Sequence, residues 1–352
     1  MDSNTNNLLR EVIQRSASDL HINVGYKPTL RINGDLYQLI EYNALSSNVV
    51  SQLFLSFTTK EQQEFFFLNK ELDFSIDYEE QRFRANAYYE RNAIALSLRL
   101  IPKKIPTIEQ LGLPSILHNF TTMKQGLILI TGQTGEGKST TLASMLNEIN
   151  VNSACNILTI EDPIEFTYPR ARSIIAQREL KRDTLSFHNA LRAILREDPD
   201  VVVLGEMRDY ETIASAMTLA ETGHLVFSTL HTSNASQTID RIVDVFPEEQ
   251  QMQIRTQLSA VLKVIFSQRL LPHASERKRI PACEILMNNS AISSLIREGK
   301  THQIDNVMQT SAQEGMMLFE AHLKDLVLAK SITYDTAMKY AYRPHLIKEL
   351  LK

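Results

Sequence analysis

The sequence contains little of what marks a secreted, zinc-stapled or nucleic-acid-binding protein. Its 352 residues include two cysteines and no tryptophan, and 41 aspartates and glutamates outnumber 37 lysines and arginines. Cys155 and Cys283 cannot form a disulfide framework, and no CxxC pair is present to hold a structural zinc ion, so we expect a reducing compartment. The formal net charge of -4 does not indicate a dominant nucleic-acid-binding surface, and we expect no nucleic-acid partner.

Long apolar segments are also missing. No run reaches the roughly 18 apolar residues that a membrane-spanning helix needs. The N-terminal residues, MDSNTNN, are polar and lack the basic-then-apolar order of a signal peptide. We therefore expect a cytoplasmic protein whose contact with any membrane is peripheral. At roughly 150 residues per domain, the length predicts two or three domains.

The first hundred residues mix helix and strand signals. Apolar residues at helical spacing near the N-terminus predict a short helix, and the alternation that follows predicts short strands. A helical stretch near 46–68 precedes strand candidates at 72–78 and 82–100. We predict one α+β domain over residues 1–100. A linker follows at 101–106, IPKKIP, because its two prolines disfavour helix.

After the linker, short and fully apolar runs alternate with helical segments. These runs are 127–131, 157–160, 201–204 and 225–230. Such runs are typical of parallel strands that are buried on both faces, which predicts an α/β domain over 107–352. From about 248 the pattern becomes mostly helical, starting with a long helix over 248–271. We therefore expect this domain to end in a set of C-terminal helices, about 248–352.

A phosphate-binding loop follows the first apolar run. The segment matches GxxxxGK[ST] at every fixed position. Its residues are Gly132, Gln133, Thr134, Gly135, Glu136, Gly137, Lys138 and Ser139. Glycines let backbone N–H groups turn toward phosphate oxygens, and the following helix, which starts near Thr140, adds its positive end. Lys138 would bind the β- and γ-phosphates of ATP, and Ser139 would bind Mg²⁺.

Three further segments carry acids or histidines next to strand-like runs. Glu165 follows 157–160 in the segment EDPIE and could accept a proton from the attacking water. Glu206 follows 201–204 and could hold Mg²⁺ through water, as in a Walker B segment. His224 and His231 bracket the run 225–230. A solvated acidic turn for each glutamate, and a core or edge position for each histidine, remain the alternatives.

Together these segments resemble the type IV pilus retraction ATPases, the PilT and PilU group of the secretion-ATPase superfamily. The resemblance covers nearly the whole chain. It is carried by ASDLH at 17–21, EDPIE at 161–165, LRAILREDPD at 191–200, AETGH at 220–224, TLHT at 229–232 and AISSLIREGK at 291–300. The chain has no four-cysteine zinc site, which favours the retraction branch over the pilus-assembly branch.

The resemblance implies an architecture and a set of residue roles. It implies a PAS-like N-terminal domain, a RecA-like P-loop NTPase domain with a C-terminal helical subdomain, and a homohexameric ring with ATP between the domains. Glu165 matches the family's catalytic glutamate, Glu206 its Walker B glutamate, and His231 a histidine that couples the γ-phosphate to movement. Arginines of the N-terminal domain reach the phosphates in this family. The candidates are Arg84, Arg82 and Arg99, each with a surface ion pair as the alternative.

The function implied is an ATP-driven motor that acts on an inner-membrane platform protein and disassembles the pilus. Two loop positions depart from the family pattern, since Gln133 stands where proline is usual and Glu136 where a small residue is usual. An acid in an anion-binding loop is electrostatically unhelpful unless it points outward. The alternatives are therefore an accessory nucleotide-binding ring that assists a second retraction ATPase with weak turnover, or a pilus-assembly or type II secretion motor.

Overall fold

The computed structural model describes residues 3–32, 34–79, 81–101, 104–207, 209–276 and 278–351. Contacts between Cα atoms divide the chain into two compact units. The first comprises Met1–Lys104 and Glu165–Thr167, and the second comprises Ile105–Ile164 and Tyr168–Lys352. Two residues of the predicted linker, 102 and 103, lie outside the described residues.

The first unit combines three helices with an antiparallel sheet. Its elements are α1 (Ser3–Gln14), β1 (Asp19–Ile22), β2 (Thr29–Ile32), β3 (Asp35–Gln38), α2 (Ser47–Phe57), α3 (Lys60–Asn69), β4 (Glu71–Tyr78), β5 (Gln81–Glu90) and β6 (Ala93–Ile101). The strand order is β3-β2-β1-β6-β5-β4. In β4, Leu72, Phe74, Ile76 and Tyr78 are buried, as period-two alternation requires. The helical stretch predicted near 46–68 consists of two helices, because Thr59 starts the second one with its own N-cap.

The second unit is built around a larger sheet with helices on both faces. Its first elements are α4 (Leu117–Thr121), β7 (Gly126–Thr131), α5 (Lys138–Asn152), β8 (Asn156–Glu161), β9 (Ile174–Glu179), α6 (Phe187–Ile194), β10 (Val201–Leu204), α7 (Tyr210–Glu221), β11 (Leu225–Leu230) and α8 (Ala235–Asp244). The remaining ones are α9 (Glu248–Val261), β12 (Leu262–Pro272), β13 (Arg279–Met287), α10 (Ser290–Glu298), α11 (Ile304–Thr310), α12 (Phe319–Leu328), α13 (Tyr334–Tyr340) and α14 (Pro344–Leu350).

This sheet has the order β13-β12-β7-β11-β10-β8-β9, and every pair is parallel except β12–β13. All six residues of β7 and all six of β11 are buried. Successive side chains of β7 enter two different cores: Leu127 and Leu129 pack with residues of α7, α8 and α9, whereas Ile128 and Ile130 pack with residues of α5. The predicted α/β arrangement with doubly buried strands is therefore confirmed.

The long helix predicted over 248–271 is wrong. Helix α9 ends at Val261, and the chain continues at once as the eleven-residue strand β12. Val264, Ile265 and Phe266 are consecutive and fully buried in this strand, which pairs in parallel with β7. The helical tail therefore begins only at α10, and β12 and β13 extend the main sheet. A bilayer-spanning helix is absent from the described part of the chain, where none combines the length and apolar character that crossing needs.

Candidate active site

The loop between β7 and α5 has a backbone that only glycines fit well. Gly132, Gly135 and Gly137 have φ values of +148°, +82° and +83°. A Cβ atom on Gly132 would lie 2.5 Å from the carbonyl oxygen of Gln268, so a larger residue would have to displace backbone. Gly137 is the N-cap of α5, and the helix begins at Lys138. The loop is therefore fixed in the curled form that directs amide groups and the helix N-terminus to one place.

Lys138 lies across this loop. Its side chain is 8% exposed, and Nζ donates hydrogen bonds to the carbonyl oxygens of Gly132 at 2.8 Å and Gln133 at 3.1 Å. The same Nζ lies 3.4 Å from Nδ1 of His231. Ser139 and Thr140 follow in the first turn of α5. The lysine charge is thus held over the loop by groups that an anionic ligand could replace.

Glu206 and His231 lie at the same edge of the sheet as the loop. Strands β7, β11 and β10 are parallel neighbours, and Thr131, Leu230 and Leu204 end them. The residues that follow parallel strands meet at the carboxyl edge of the sheet, where α/β proteins bind ligands. Nε2 of His231 lies 3.2 Å from Oε1 of Glu206. The two residues predicted from separate motifs are therefore direct neighbours.

The contacts of His231 define its tautomer. An ammonium group can only donate, so Nδ1 of His231 must be the unprotonated acceptor toward Nζ of Lys138. Nε2 then carries the hydrogen and donates it to the carboxylate of Glu206. Thr134 Oγ1 also lies 3.4 Å from Nδ1. The His231 ring therefore connects the loop lysine to the strand-end glutamate.

Two further predicted residues lie together in the first unit. Glu165 belongs to the segment Glu165–Thr167, and its Oε1 lies 3.8 Å from Nη1 of Arg84. Both side chains are about two-fifths exposed, at 44% for Glu165 and 40% for Arg84. An ion pair at this exposure contributes little to stability, so both groups remain open to other partners.

The other two arginine candidates have different partners. Arg82 is 12% exposed and donates to Asp77 at 3.2 Å and to Ser75 at 3.0 Å. Arg99 donates through Nε to the buried Asp19 at 2.8 Å. Among the three, Arg84 is the one that contacts Glu165. The structure brings this pair together but leaves Arg82 and Arg99 in separate ion pairs of the same sheet.

The remaining predictions concern His224, Glu136 and the metal. His224 precedes β11 at its amino end, where Nδ1 lies 3.0 Å from the carbonyl oxygen of Leu219, so it is not part of the group around Lys138. The carboxylate of Glu136 accepts the backbone N–H of Leu270 in β12. The predicted metal ligands, the Ser139 hydroxyl and the Glu206 carboxylate, are hard oxygen donors on elements that converge on the loop. Two such donors fit Mg²⁺, which keeps several waters and takes phosphate oxygens as well.

Gln268 is a site residue that sequence reasoning missed. It is 2% exposed, donates to the Glu136 carbonyl oxygen at 2.5 Å and accepts from Thr141 Oγ1 at 2.7 Å. The prediction of helix over 248–271 hid it. The three consecutive buried apolar residues at 264–266, followed by polar Ser267 and Gln268, were the available sign of a strand that ends beside the loop.

Comparison with known proteins agrees with this arrangement. The sequence matches the model of the type II/IV secretion system protein family over residues 2–347. It is 42% identical over 338 residues to the type IV pilus retraction ATPase PilT of Pseudomonas aeruginosa, covering 96% of this chain and 98% of that protein. It is 38% identical over 346 residues to the type IV pilus ATPase PilU of the same organism, covering 98% of this chain and 90% of that protein.

A solved structure is similar over almost the same length. The crystal structure of the pilus retraction motor PilT with bound ADP superposes with a TM-score of 0.91 at 43% identity, and 98% of each chain is covered. These matches confirm the resemblance inferred from the motifs and the fold class expected with it. With a family model that spans almost every residue and relatives that match along their whole length, the chain belongs to the type II/IV secretion system protein family.

Proposed function

We propose that this protein is an ATP-hydrolysing motor that drives type IV pilus retraction as a homohexamer. The observation that carries the proposal is the connected set Lys138, His231 and Glu206 around a complete phosphate loop. The similarity to PilT, a named retraction ATPase whose crystal structure contains ADP, supports the reaction and the ligand. In this proposal the protein is cytoplasmic, binds peripherally at the inner membrane and acts on a platform protein of the pilus machine.

Several residues of the second unit bind the nucleotide and its metal ion in this proposal. The ammonium of Lys138 exchanges the carbonyl oxygens of Gly132 and Gln133 for phosphate oxygens, so the same donors serve with and without nucleotide. Ser139 and Glu206 would hold Mg²⁺, which supplies positive charge beside the β- and γ-phosphates. His231 loses its lysine partner when phosphate arrives and keeps its hydrogen bond to Glu206, so it can report the presence of the γ-phosphate.

Glu165 and Arg84, which contact each other, are the proposed groups for hydrolysis. Glu165 accepts a proton from the attacking water or orients it, which is the role that the family resemblance gives this position. Arg84, its ion-pair neighbour, neutralises charge on the transferred phosphoryl group. Arg82 and Arg99 are weaker candidates because each already donates to a carboxylate at 3.2 Å or less.

The test compares two variants of the purified hexamer. Glu165→Gln keeps the size of the side chain and removes the base, so nucleotide binding should persist while phosphate release falls by about 10²-fold or more. Lys138→Ala should abolish nucleotide binding itself. Undiminished hydrolysis by Glu165→Gln would remove this residue from the mechanism, and retained affinity in Lys138→Ala would refute the phosphate-loop assignment.

A second function is an accessory ring that assists another retraction ATPase. The two loop residues that depart from the family pattern, Gln133 and Glu136, favour it. A steady-state ATPase assay on the wild-type hexamer separates the two, because an accessory ring binds nucleotide with little turnover. A pilus-assembly or secretion motor is distinguished in cells, since loss of a retraction motor leaves excess pili whereas loss of an assembly motor leaves none.

A further inference from the structure

Strand β12 continues beyond the end of its neighbour β7. The two strands pair up to Thr131 and Ser267, whose hydroxyl groups are hydrogen-bonded at 2.8 Å inside the protein. At that point β7 becomes the phosphate loop, while β12 runs on to Pro272. On the side where β7 has ended, the last residues of β12 lie beside the loop, and their polar groups can bind it. On its other side, β12 remains paired with β13.

Gln268 joins the loop to the helix that follows it. Its Nε2 donates to the Glu136 carbonyl oxygen at 2.5 Å, and its Oε1 accepts from Thr141 Oγ1 of α5 at 2.7 Å. Its own carbonyl oxygen is the atom that leaves no room for a Cβ on Gly132. Because Gln268 is buried, both ends of its amide are committed to these partners.

The carboxylate of Glu136 makes the next contact along β12. It accepts the backbone N–H of Leu270, a residue whose partner on β13 is Pro281. From β13, Nη1 of Arg279 donates to the carbonyl oxygen of Gly135 at 3.3 Å. The acidic residue of the loop is thus bound to the backbone of β12.

We propose that β12 is a rigid backing for the phosphate loop and that Glu136 is the positioning residue that fastens the loop to it. The inference rests on the proposed function, because it concerns how well the loop holds a nucleotide. Glu136 then has two opposing effects. Its charge repels the phosphates, and its charge-assisted hydrogen bond to Leu270 keeps the loop amides in the binding geometry.

Two substitutions separate these effects. Glu136→Gln removes the charge but keeps an oxygen that accepts from Leu270, so nucleotide should bind about threefold more tightly. Glu136→Ala removes the charge and the hydrogen bond, so nucleotide should bind about fivefold more weakly, with a rise in KM that exceeds any fall in kcat. Glu249→Ala is the control, because it removes one exposed negative charge from α9. The probe is a fluorescent ATP analogue with Mg²⁺, titrated into each hexamer.

The signs of the two changes decide the proposal. If both variants bind more tightly, Glu136 acts through charge alone, and if both bind equally more weakly, the charge itself is needed; either result overturns the fastening role. Gln268→Met removes the other contact of the backing strand, and it should weaken binding less in Glu136→Ala than in the wild type, since the two contacts hold one loop. Full additivity would contradict a shared role.

A measurement without nucleotide keeps this proposal separate from the proposed function. Hydrogen exchange of the nucleotide-free protein should show the amide of Leu270 protected in the wild type and in Glu136→Gln, and exposed in Glu136→Ala. Unchanged protection in Glu136→Ala refutes the fastening contact. If instead the protection changes as expected but the wild type binds no nucleotide, the contact stands and the motor proposal fails.

Discussion

The six-stranded and seven-stranded sheets of this protein bury their strands in different ways. In β4 of the first sheet, exposed or half-buried residues alternate with buried ones, whereas β10 of the second sheet is buried at all four positions. The first sheet is antiparallel and covers one core; the second is mainly parallel and separates two cores. In the sequence, a strand buried on one face shows period-two alternation, and a strand buried on both faces shows a continuous apolar run.

A polar amide side chain placed at a buried position of either sheet should destabilise the protein strongly. Val202 and Val203 are adjacent but belong to different cores, so Val202→Asn and Val203→Asn should each lower the free energy of unfolding by about 3 kcal/mol or more. In β4, Phe74→Asn should be similarly costly, whereas Asp73→Asn should change stability by less than about 0.5 kcal/mol. Thermal unfolding of each purified variant measures the difference.

Asp73→Asn is a fair control because its side-chain oxygen can still accept the hydrogen bond that Asn86 donates at 3.1 Å. The comparison between the sheets fails if Val203→Asn is tolerated as well as Asp73→Asn. That outcome would mean that the second sheet is covered on one face only, which contradicts the two cores that the structure shows.

Period-two alternation and continuous apolar runs are the two patterns from which the strands could be predicted. The apolar runs that became β7, β8, β10 and β11 were found because each is continuous and buried. Strand β9 was missed, since its side chains are mostly half-buried or exposed and no apolar run marks it. Strand β12 was taken for helix because the spacing of Leu258, Val261, Leu262 and Ile265 continues across the end of α9. Its pairing with β13 and with β7, which is distant in sequence, makes it a strand.

The same distinction holds for the candidate site. Residues in local motifs, such as Lys138, Glu206 and His231, were identified because each follows a recognisable strand. The choice among three arginines was not possible from sequence, since it depends on which carboxylates lie across the sheet: Arg82 is opposite Asp77 in the register of β4 and β5. The partner of Glu136 depends on β12 and was equally hidden.

The two units hold buried acidic side chains in different ways. In the first unit the buried Asp19 is paired directly with Arg99. In the second, the pKa of Glu284 in β13 is raised from 4.5 to about 7, mainly by burial and less by the charges of Asp305 and Glu320, against the opposing effects of the Ala235 amide and Arg343. Oε1 of Glu284 accepts the Ala235 N–H at the start of α8 at 2.7 Å. The second unit therefore contains an acid that is more stable uncharged.

The sign of the pH effect follows from this raised pKa. The folded protein holds the Glu284 proton more tightly than the unfolded chain, so the stabilising contribution is complete below about pH 4.5 and is lost as the pH rises through about 7. Glu284→Gln still accepts from Ala235 and cannot ionise. It should match the wild type near pH 4 and exceed its unfolding free energy by about 3 kcal/mol near pH 8.

Urea unfolding at both pH values measures this difference, and Glu249→Gln serves as the exposed-carboxylate control in the same unit. Parallel stability curves for Glu284→Gln and the wild type would show that Glu284 ionises freely in the folded protein. The second unit would then not contain a buried acid that favours the uncharged form.

The N-cap of α3 should contribute less to stability than the buried residues above. Thr59 begins α3 with a capping box: its hydroxyl accepts the Gln62 N–H at 3.3 Å, and the Gln62 side chain accepts the Thr59 N–H at 2.9 Å. Thr59→Ala removes the first bond and should cost about 1 kcal/mol, while Thr59→Ser, which keeps a hydroxyl, should cost only a few tenths. Hydrogen exchange of residues 60–69 locates the change, which should leave the amides of β7 and α5 in the second unit unaffected. Equal exchange in both variants would mean that packing of Phe66 against Phe54 and Tyr89, and not the cap, holds this helix.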